Sequence, residues 1–173
     1  MGHLVYLLAP TAISEFCEGV KEEVRENVVS LDRIDKIHCT LAYGDIKERD
    51  MDGAMGLLDR ISIEDVGLDV AGLGIFPGRD GGRYLVARVH KNEGLLGLQG
   101  AVFGILGKYG SCRSSYYLRP GVYDPHVTIA RVDNGLEELP SLEVVPAAKE
   151  VSEFYLAETN DHLWRVIKKF SLK

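Results

Sequence analysis

HCTLA at residues 38–42 and HVTIA at 126–130 set a histidine, an apolar residue, a threonine, an apolar residue and an alanine in the same order twice. The chain has five histidines and four threonines in 173 residues, so random placement would give roughly 0.1 H-x-T triplets. On an extended strand side chains alternate between faces. His38, Thr40 and Ala42 are then expected to leave one face while Cys39 and Leu41 anchor the other in a core. His126, Thr128 and Ala130 repeat the pattern against Val127 and Ile129. Two such strands facing one another would line a pocket with two imidazoles and two hydroxyls. In-line displacement at phosphorus needs one group to take a proton from the attacking oxygen and another to give one to the departing oxygen. Two histidines can hold both protonation states near neutral pH. Threonine hydroxyls can donate to the non-bridging oxygens without adding charge. This set of groups calls for no metal.

The elements that must position these residues follow from hydrophobic periodicity. LVYLLAP, residues 4–10, reads as a buried strand ended by proline. From Thr11, the four-residue spacing of Phe16, Val20 and Val24 among charges predicts an amphipathic helix. RIDKIHCTLAYG is a half-buried strand, 52–60 a short helix, and VGLDVAGLGIF a strand ending at the loop PGRDGG. A similar series follows: RYLVARVH as a strand, 94–109 as a helix, SSYYLRPGVYDP containing a loop, and HVTIARV as a strand. VSEFYLAE and HLWRVIKKFSL close the chain as a hairpin around Thr159 to Asp161. The recurrence of strand, helix and H-x-T strand reads as an internal duplication. In the helix after RYLVARVH, glycines 94, 97, 100, 104, 107 and 110 would form one smooth face, which we expect to pack closely against a sheet. That stretch lacks the GK[ST] of a phosphate-cradling loop.

Composition sets the remaining bounds. With 46% hydrophobic and 27% charged residues the chain is globular in type, and its length favours a single domain over residues 1–173. The formal net charge of −6 argues against duplex DNA held by phosphate neutralisation. Between Arg79 and Arg131, however, eight basic residues face three acidic ones, a local +5 that leaves −11 to the remainder. Such a region suits a small anion or a short phosphate-bearing end. Cys17, Cys39 and Cys112 form no CxxC pair, so neither a disulfide framework nor a zinc site is expected, and a reducing cytoplasm fits best. MGHLVYLLAP lacks the pattern of an export leader, and no run of about 18 apolar residues is present, so no membrane association is expected. A monomer is the default expectation.

The paired motifs IHCTLAYG and PHVTIAR, 88 residues apart, resemble the signature of the two-histidine phosphoesterases, whose bacterial and archaeal members are RNA 2',3'-cyclic phosphodiesterases or 2'-5' RNA ligases. LVYLLAP, GLGIFPG and the closing FYLAET…LWRVIKKFSL extend the resemblance over nearly the whole chain, although only the paired motifs are specific. Tyr43 stands where members often have phenylalanine. The resemblance implies an α+β, bilobal fold: two pseudo-symmetric lobes, each an antiparallel sheet with outer helices, around a cleft that receives one motif from each. It implies His38 and His126 as the acid–base pair and Thr40 and Thr128 as phosphate ligands, with neither histidine assigned as acid or base. The implied reaction is metal-independent, cofactor-free hydrolysis of a 2',3'-cyclic phosphate on RNA ends or small nucleotides to a 2'-phosphate, with 2'-5' RNA ligase activity beside it. In the tyrosine- and arginine-rich linker 111–125, Tyr116, Tyr117, Arg119 or Tyr123 could stack on a base or meet phosphate, and Arg131 is a further candidate for substrate binding.

Three other readings compete. The same chemistry could serve 2'-5' oligoadenylates, cyclic oligonucleotides or a cyclic phosphate of an ADP-ribose derivative. The cleft could bind RNA ends without turnover, a role for which two proton-transfer groups have little use. A thiol enzyme using Cys39 fits least, because that side chain turns toward the core. His3, near the terminus, His90, at a strand end, and His162, in a turn, have no metal-ligand spacing.

Overall fold

The computed structural model describes residues 2–30, 37–78, 80–112, 119–141, 145–146, 149–160 and 163–172. Along the chain run β1 (Gly2–Leu8), α1 (Thr11–Glu23), β2 (Val28–Ser30), β3 (His38–Ile46), α2 (Met51–Leu58), β4 (Gly67–Leu68) and β5 (Val70–Pro77). The order continues with β6 (Arg83–Val89), α3 (Glu93–Tyr109), β7 (Gly110–Cys112), β8 (His126–Val132), β9 (Lys149–Glu150), β10 (Glu153–Asn160) and β11 (Leu163–Ser171). The expected α+β class is observed, and the expected strand from Val66 to Phe76 is split at Asp69 into β4 and β5.

Among the described residues nine strands form one sheet in the order β11-β10-β1-β3-β8-β6-β5, with β2 beside β8 and β7 beside β3. All of its pairings are antiparallel. The sheet narrows at its centre, where β3 and β8 are paired only through Cys39 and Val127. On either side of this seam the element order is the same, β1-α1-β2-β3 and β6-α3-β7-β8. The short strands are exchanged: β2, from the first series, pairs with β8, and β7, from the second, pairs with β3. The helices are exchanged too, α1 lying against β8 and α3 against β3.

One core holds these layers. Ile13, Cys17 and Val20 of α1, spaced four and three residues apart as a helix face requires, meet Cys39, Leu41, Val127 and Ile129 of the sheet, together with Leu95, Leu98, Val102 and Leu106 of α3. A second, smaller cluster of Leu4, Tyr6 and Ala157 stands apart from it. Asn92 caps α3, its side chain accepting the Leu95 N–H at 2.8 Å and donating to the Gly67 carbonyl at 2.8 Å.

The glycine face of α3 differs from expectation. Of the six glycines only the two at the ends are held by close approach, Gly94, where a Cβ would lie 2.5 Å from the Asp65 carbonyl oxygen, and Gly110, just past the helix, where it would run into the Asp45 carbonyl. At Gly100, Gly104 and Gly107 a Cβ would meet nothing within 4 Å. The helix turns its leucines to the sheet instead, because burying large side chains removes more apolar surface from water than a glycine face can.

Candidate active site

In both motif strands a β-bulge falls at the same residue. Tyr6 faces Thr40 and Val5 faces Ala42, which leaves Leu41 without a partner across β1. Val86 faces Thr128 and Leu85 faces Ala130, which leaves Ile129 as the extra residue opposite β6. A bulge breaks strict alternation by turning two successive side chains toward one side. Leu41 and Ala42 are accordingly both fully buried in the helix-side core, and Ile129 and Ala130 are buried there too. Ala42 and Ala130 were expected beside the histidines and instead join the core. The shift brings Tyr43 and Arg131 onto the histidine face. The buried amide of Gln99 in α3 donates to the Leu41 carbonyl at 3.4 Å, supporting the first bulge.

The Cys39–Val127 pair sets the register of the four motif side chains. One step along in an antiparallel pair, Thr40 comes opposite His126 and His38 opposite Thr128. The imidazoles then lie on a diagonal, about 7–8 Å apart at the backbone in a regular sheet, with room for a phosphoryl group between them.

The two imidazoles differ in surroundings. His38 is 8% exposed and lies between two rings, with Tyr6 edge-to-face at 5.5 Å and Trp164 edge-to-face at 4.5 Å between centroids. His126 packs against Phe76 at 4.6 Å, and its Nδ1 lies 2.8 Å from the Asp124 carbonyl. A carbonyl only accepts, so Nδ1 carries the proton and Nε2 holds the lone pair in the neutral ring. Desolvation by burial lowers the His126 pKa below 6.5, and the Asp124 carbonyl and charge oppose that shift. The Asp124 carboxylate pairs with Arg88 at 3.3 Å, and Arg88 is the residue across from His126 in β6.

Tyr123 is placed otherwise than a stacking residue would be. It is 2% exposed, and its hydroxyl donates to the Thr40 carbonyl at 2.9 Å and lies 3.4 Å from Cys39 Sγ. It ties the segment leading into β8 to the first motif and presents no face to a base. Burial, with the neighbouring Cys39, holds its pKa well above 10, so it stays a donor. Burial pushes the Cys39 thiol up to about 11, which gives thiolate chemistry no support.

Arg131 meets Asp80 at 3.3 Å, and Asp80 also accepts from Tyr84 Oη at 3.1 Å and the Gly82 N–H at 3.0 Å. Arg119 is exposed in the turn 119–122, while Tyr116, Tyr117 and His162 lie outside the described residues. His3, expected at a loose terminus, is buried, and its Nδ1 accepts the Ile46 N–H at 3.1 Å. Among the described residues no three of His, Cys, Asp and Glu converge as a metal would require, and no helix is long and apolar enough to cross a membrane.

Sequence reasoning missed Tyr6, Phe76, Trp164 and Asp124. Tyr6 and Trp164 carry a faint signal, a lone tyrosine in an apolar strand and the chain's one tryptophan in a closing hairpin. Asp124 acts through its backbone, which side-chain identity does not report.

No family model matches the chain, and no curated protein matches it significantly in sequence. Solved structures do match in fold. E. coli LigT, in complex with NADP+, is 20% identical with a TM-score of 0.65, over 98% of this chain and 96% of that one. TT0787 of Thermus thermophilus is 21% identical with a TM-score of 0.73, over 99% and 98%. Kluyveromyces marxianus Usb1 is 15% identical with a TM-score of 0.60, again over 99% and 98%. With its paired H-x-T strands meeting at the centre of one antiparallel sheet, the chain has the fold of LigT.

Proposed function

We propose that the chain is a two-histidine phosphoesterase that hydrolyses 2',3'-cyclic phosphates on RNA ends or small nucleotides to 2'-phosphates without a metal. The observation that carries this reading is the seam: the one bridge between β3 and β8 falls between the two H-x-T motifs and sets both histidine–threonine pairs side by side. E. coli LigT, of the same fold, has been seen with 3'-AMP, ATP and phosphate, which supports a nucleotide phosphate as the class of ligand.

In the proposed reaction one imidazole takes a proton from water as the oxygen attacks phosphorus. The bond from phosphorus to the 3' oxygen breaks in line with that attack. The other imidazole gives its proton to the departing oxygen, leaving a 2'-phosphomonoester and a 3' hydroxyl. Thr40 and Thr128 donate to the two non-bridging oxygens, where charge accumulates. With the 5' hydroxyl of a second strand in place of water, the same two proton transfers open the ring to a 2'-5' phosphodiester and a 3' hydroxyl, which is ligation.

Incubation of the protein, with and without chelator, with 2',3'-cyclic nucleotides, RNA ends bearing that group and 2'-5' oligoadenylates tests the reading. Turnover of the cyclic phosphates that survives chelator is expected. Full loss with chelator would overturn the metal-free step. Turnover of the 2'-5' linkages alone would move the substrate, and turnover of none would leave a binding module.

A further inference from the structure

We infer that Trp164 is the platform on which the base of a nucleotide stacks, so that the planar end of the ligand lies on the β1–β10–β11 side of the seam. The inference rests on the phosphoesterase reading for the position of the phosphate, and adds to it a specific residue and an orientation.

A row of rings crosses that side of the sheet. Tyr155 of β10 stacks on Tyr6 of β1 at 5.5 Å, with planes 19° apart. Tyr6 meets Trp164 of β11 at 5.7 Å, and Trp164 meets His38 at 4.5 Å. Tyr6 is buried at 1% exposure and serves as backing. Trp164 remains 39% exposed while touching the imidazole, so the row offers an open aromatic surface beside one of the two groups that would flank phosphorus.

Among the described residues the other side of the seam has no stacked row with an exposed end, only the half-buried ring of Phe76 packed on His126 at 4.6 Å. The register positions that match Tyr6 and Tyr155 are Val86, opposite Thr128, and Gly74, opposite Val86. The space above Gly74 is taken by the Arg88 side chain, whose Cδ would lie 3.2 Å from a Cβ there. Arg88 and Arg131, each with an acidic partner, give that side charge around its half-buried ring. Two histidines and two threonines are enough to hold phosphate alone. An open π surface beside one imidazole, with charge beside the other, is what a ligand with a planar end requires. Because every base has a π face, stacking tolerates sequence and favours larger rings. The platform therefore calls for a nucleotide over a bare phosphate ester, with weak discrimination among bases and a preference for purines.

Trp164 is the only tryptophan in the chain, so its fluorescence reports this surface directly. The full chain is titrated with 2'-AMP, ribose 2-phosphate and inorganic phosphate. We expect 2'-AMP to quench the emission and to bind about tenfold or more tightly than ribose 2-phosphate, within the range a base–aromatic stack supplies. By calorimetry, Trp164→Ala should bring that ratio toward one, and Trp164→Phe should keep most of it. Equal affinity of the unaltered protein for the two esters, or no binding of 2'-AMP, overturns the inference. An equal loss for both esters in Trp164→Ala would do so as well, since Trp164 would then act only by packing on His38. These titrations need no turnover, so failure of the cyclic phosphodiesterase reading would show separately, as binding with the expected ratio but no hydrolysis.

Discussion

The two motif strands carry the same five-residue pattern, the same bulge and the same exchange of a short strand, yet they sit in unlike surroundings. Around β3 the histidine lies among Tyr6 and Trp164. Around β8 the histidine is fixed by a backbone carbonyl, and the strand is flanked by Arg88 with Asp124 and by Arg131 with Asp80. The shared part is what a symmetrical task at phosphorus needs. The unshared part is what an unsymmetrical ligand needs, since the two ends of a nucleotide differ. On the proposed function, repetition in sequence marks the reacting groups, while the neighbouring strands decide what each side receives.

That division can be broken first at the threonines. Thr40→Val and Thr128→Val should each lower kcat by about 10²-fold, the scale of losing one donor to a developing oxyanion. Similar losses on both sides would support a symmetrical phosphate cradle. A loss from one variant alone would confine the phosphate to one motif.

Next in size is the tie between the strands. Tyr123→Phe removes only the hydroxyl that donates to the Thr40 carbonyl, so the part-buried acceptor loses that donor. A loss of about 1–3 kcal/mol in denaturant unfolding is expected. An unchanged midpoint would show that the seam is held without it.

Acid conditions sharpen the contrast between the histidines. Burial is the first cause of the lowered pKa of His126 and of His3. With folded pKa values below 6.5, the unfolded chain binds protons first as the pH falls. Their contribution to stability is therefore complete above about 6.5 and is lost as the pH drops through the lower folded values. Melting temperature should fall between pH 7.5 and 5, and His3→Gln should reduce that slope. A flat profile would contradict the burial argument.

The smallest effect lies outside the seam. Gly104→Ala, at an open helical position, should stabilise the protein by about 0.5–1 kcal/mol in thermal or denaturant unfolding. Destabilisation would mean that the glycine face is covered after all.

Much of this was legible in the sequence where local pattern decides. Alternation in HCTLA and HVTIA located both strands and turned Cys39, Leu41, Val127 and Ile129 correctly into the core. It failed one residue later, at Ala42 and Ala130, because a bulge depends on the register of the adjoining strand, and period-two reading does not contain that information. For the same reason Arg131 entered as a charged residue near a motif, while Tyr43 was not seen to share its face. Trp164 touches His38 across β10 and β1, a contact between residues far apart in the chain that no local window holds. Tyr123 was read from composition as a residue for stacking, and only its burial beneath Thr40 shows the hydroxyl to be the part that matters. The strands β2 and β7, three residues each, are too short to leave a periodic trace, and their exchange belongs to the tertiary fold.

The most direct test of the account is the pH–rate profile for a 2',3'-cyclic nucleotide, measured for the unaltered chain and for His38→Ala and His126→Ala. The paired-imidazole mechanism predicts a bell for the unaltered chain, a drop of roughly 10²–10⁴ in turnover for each variant, and the loss of a different limb of the bell in each. Unaltered turnover or an intact bell in either variant would contradict it.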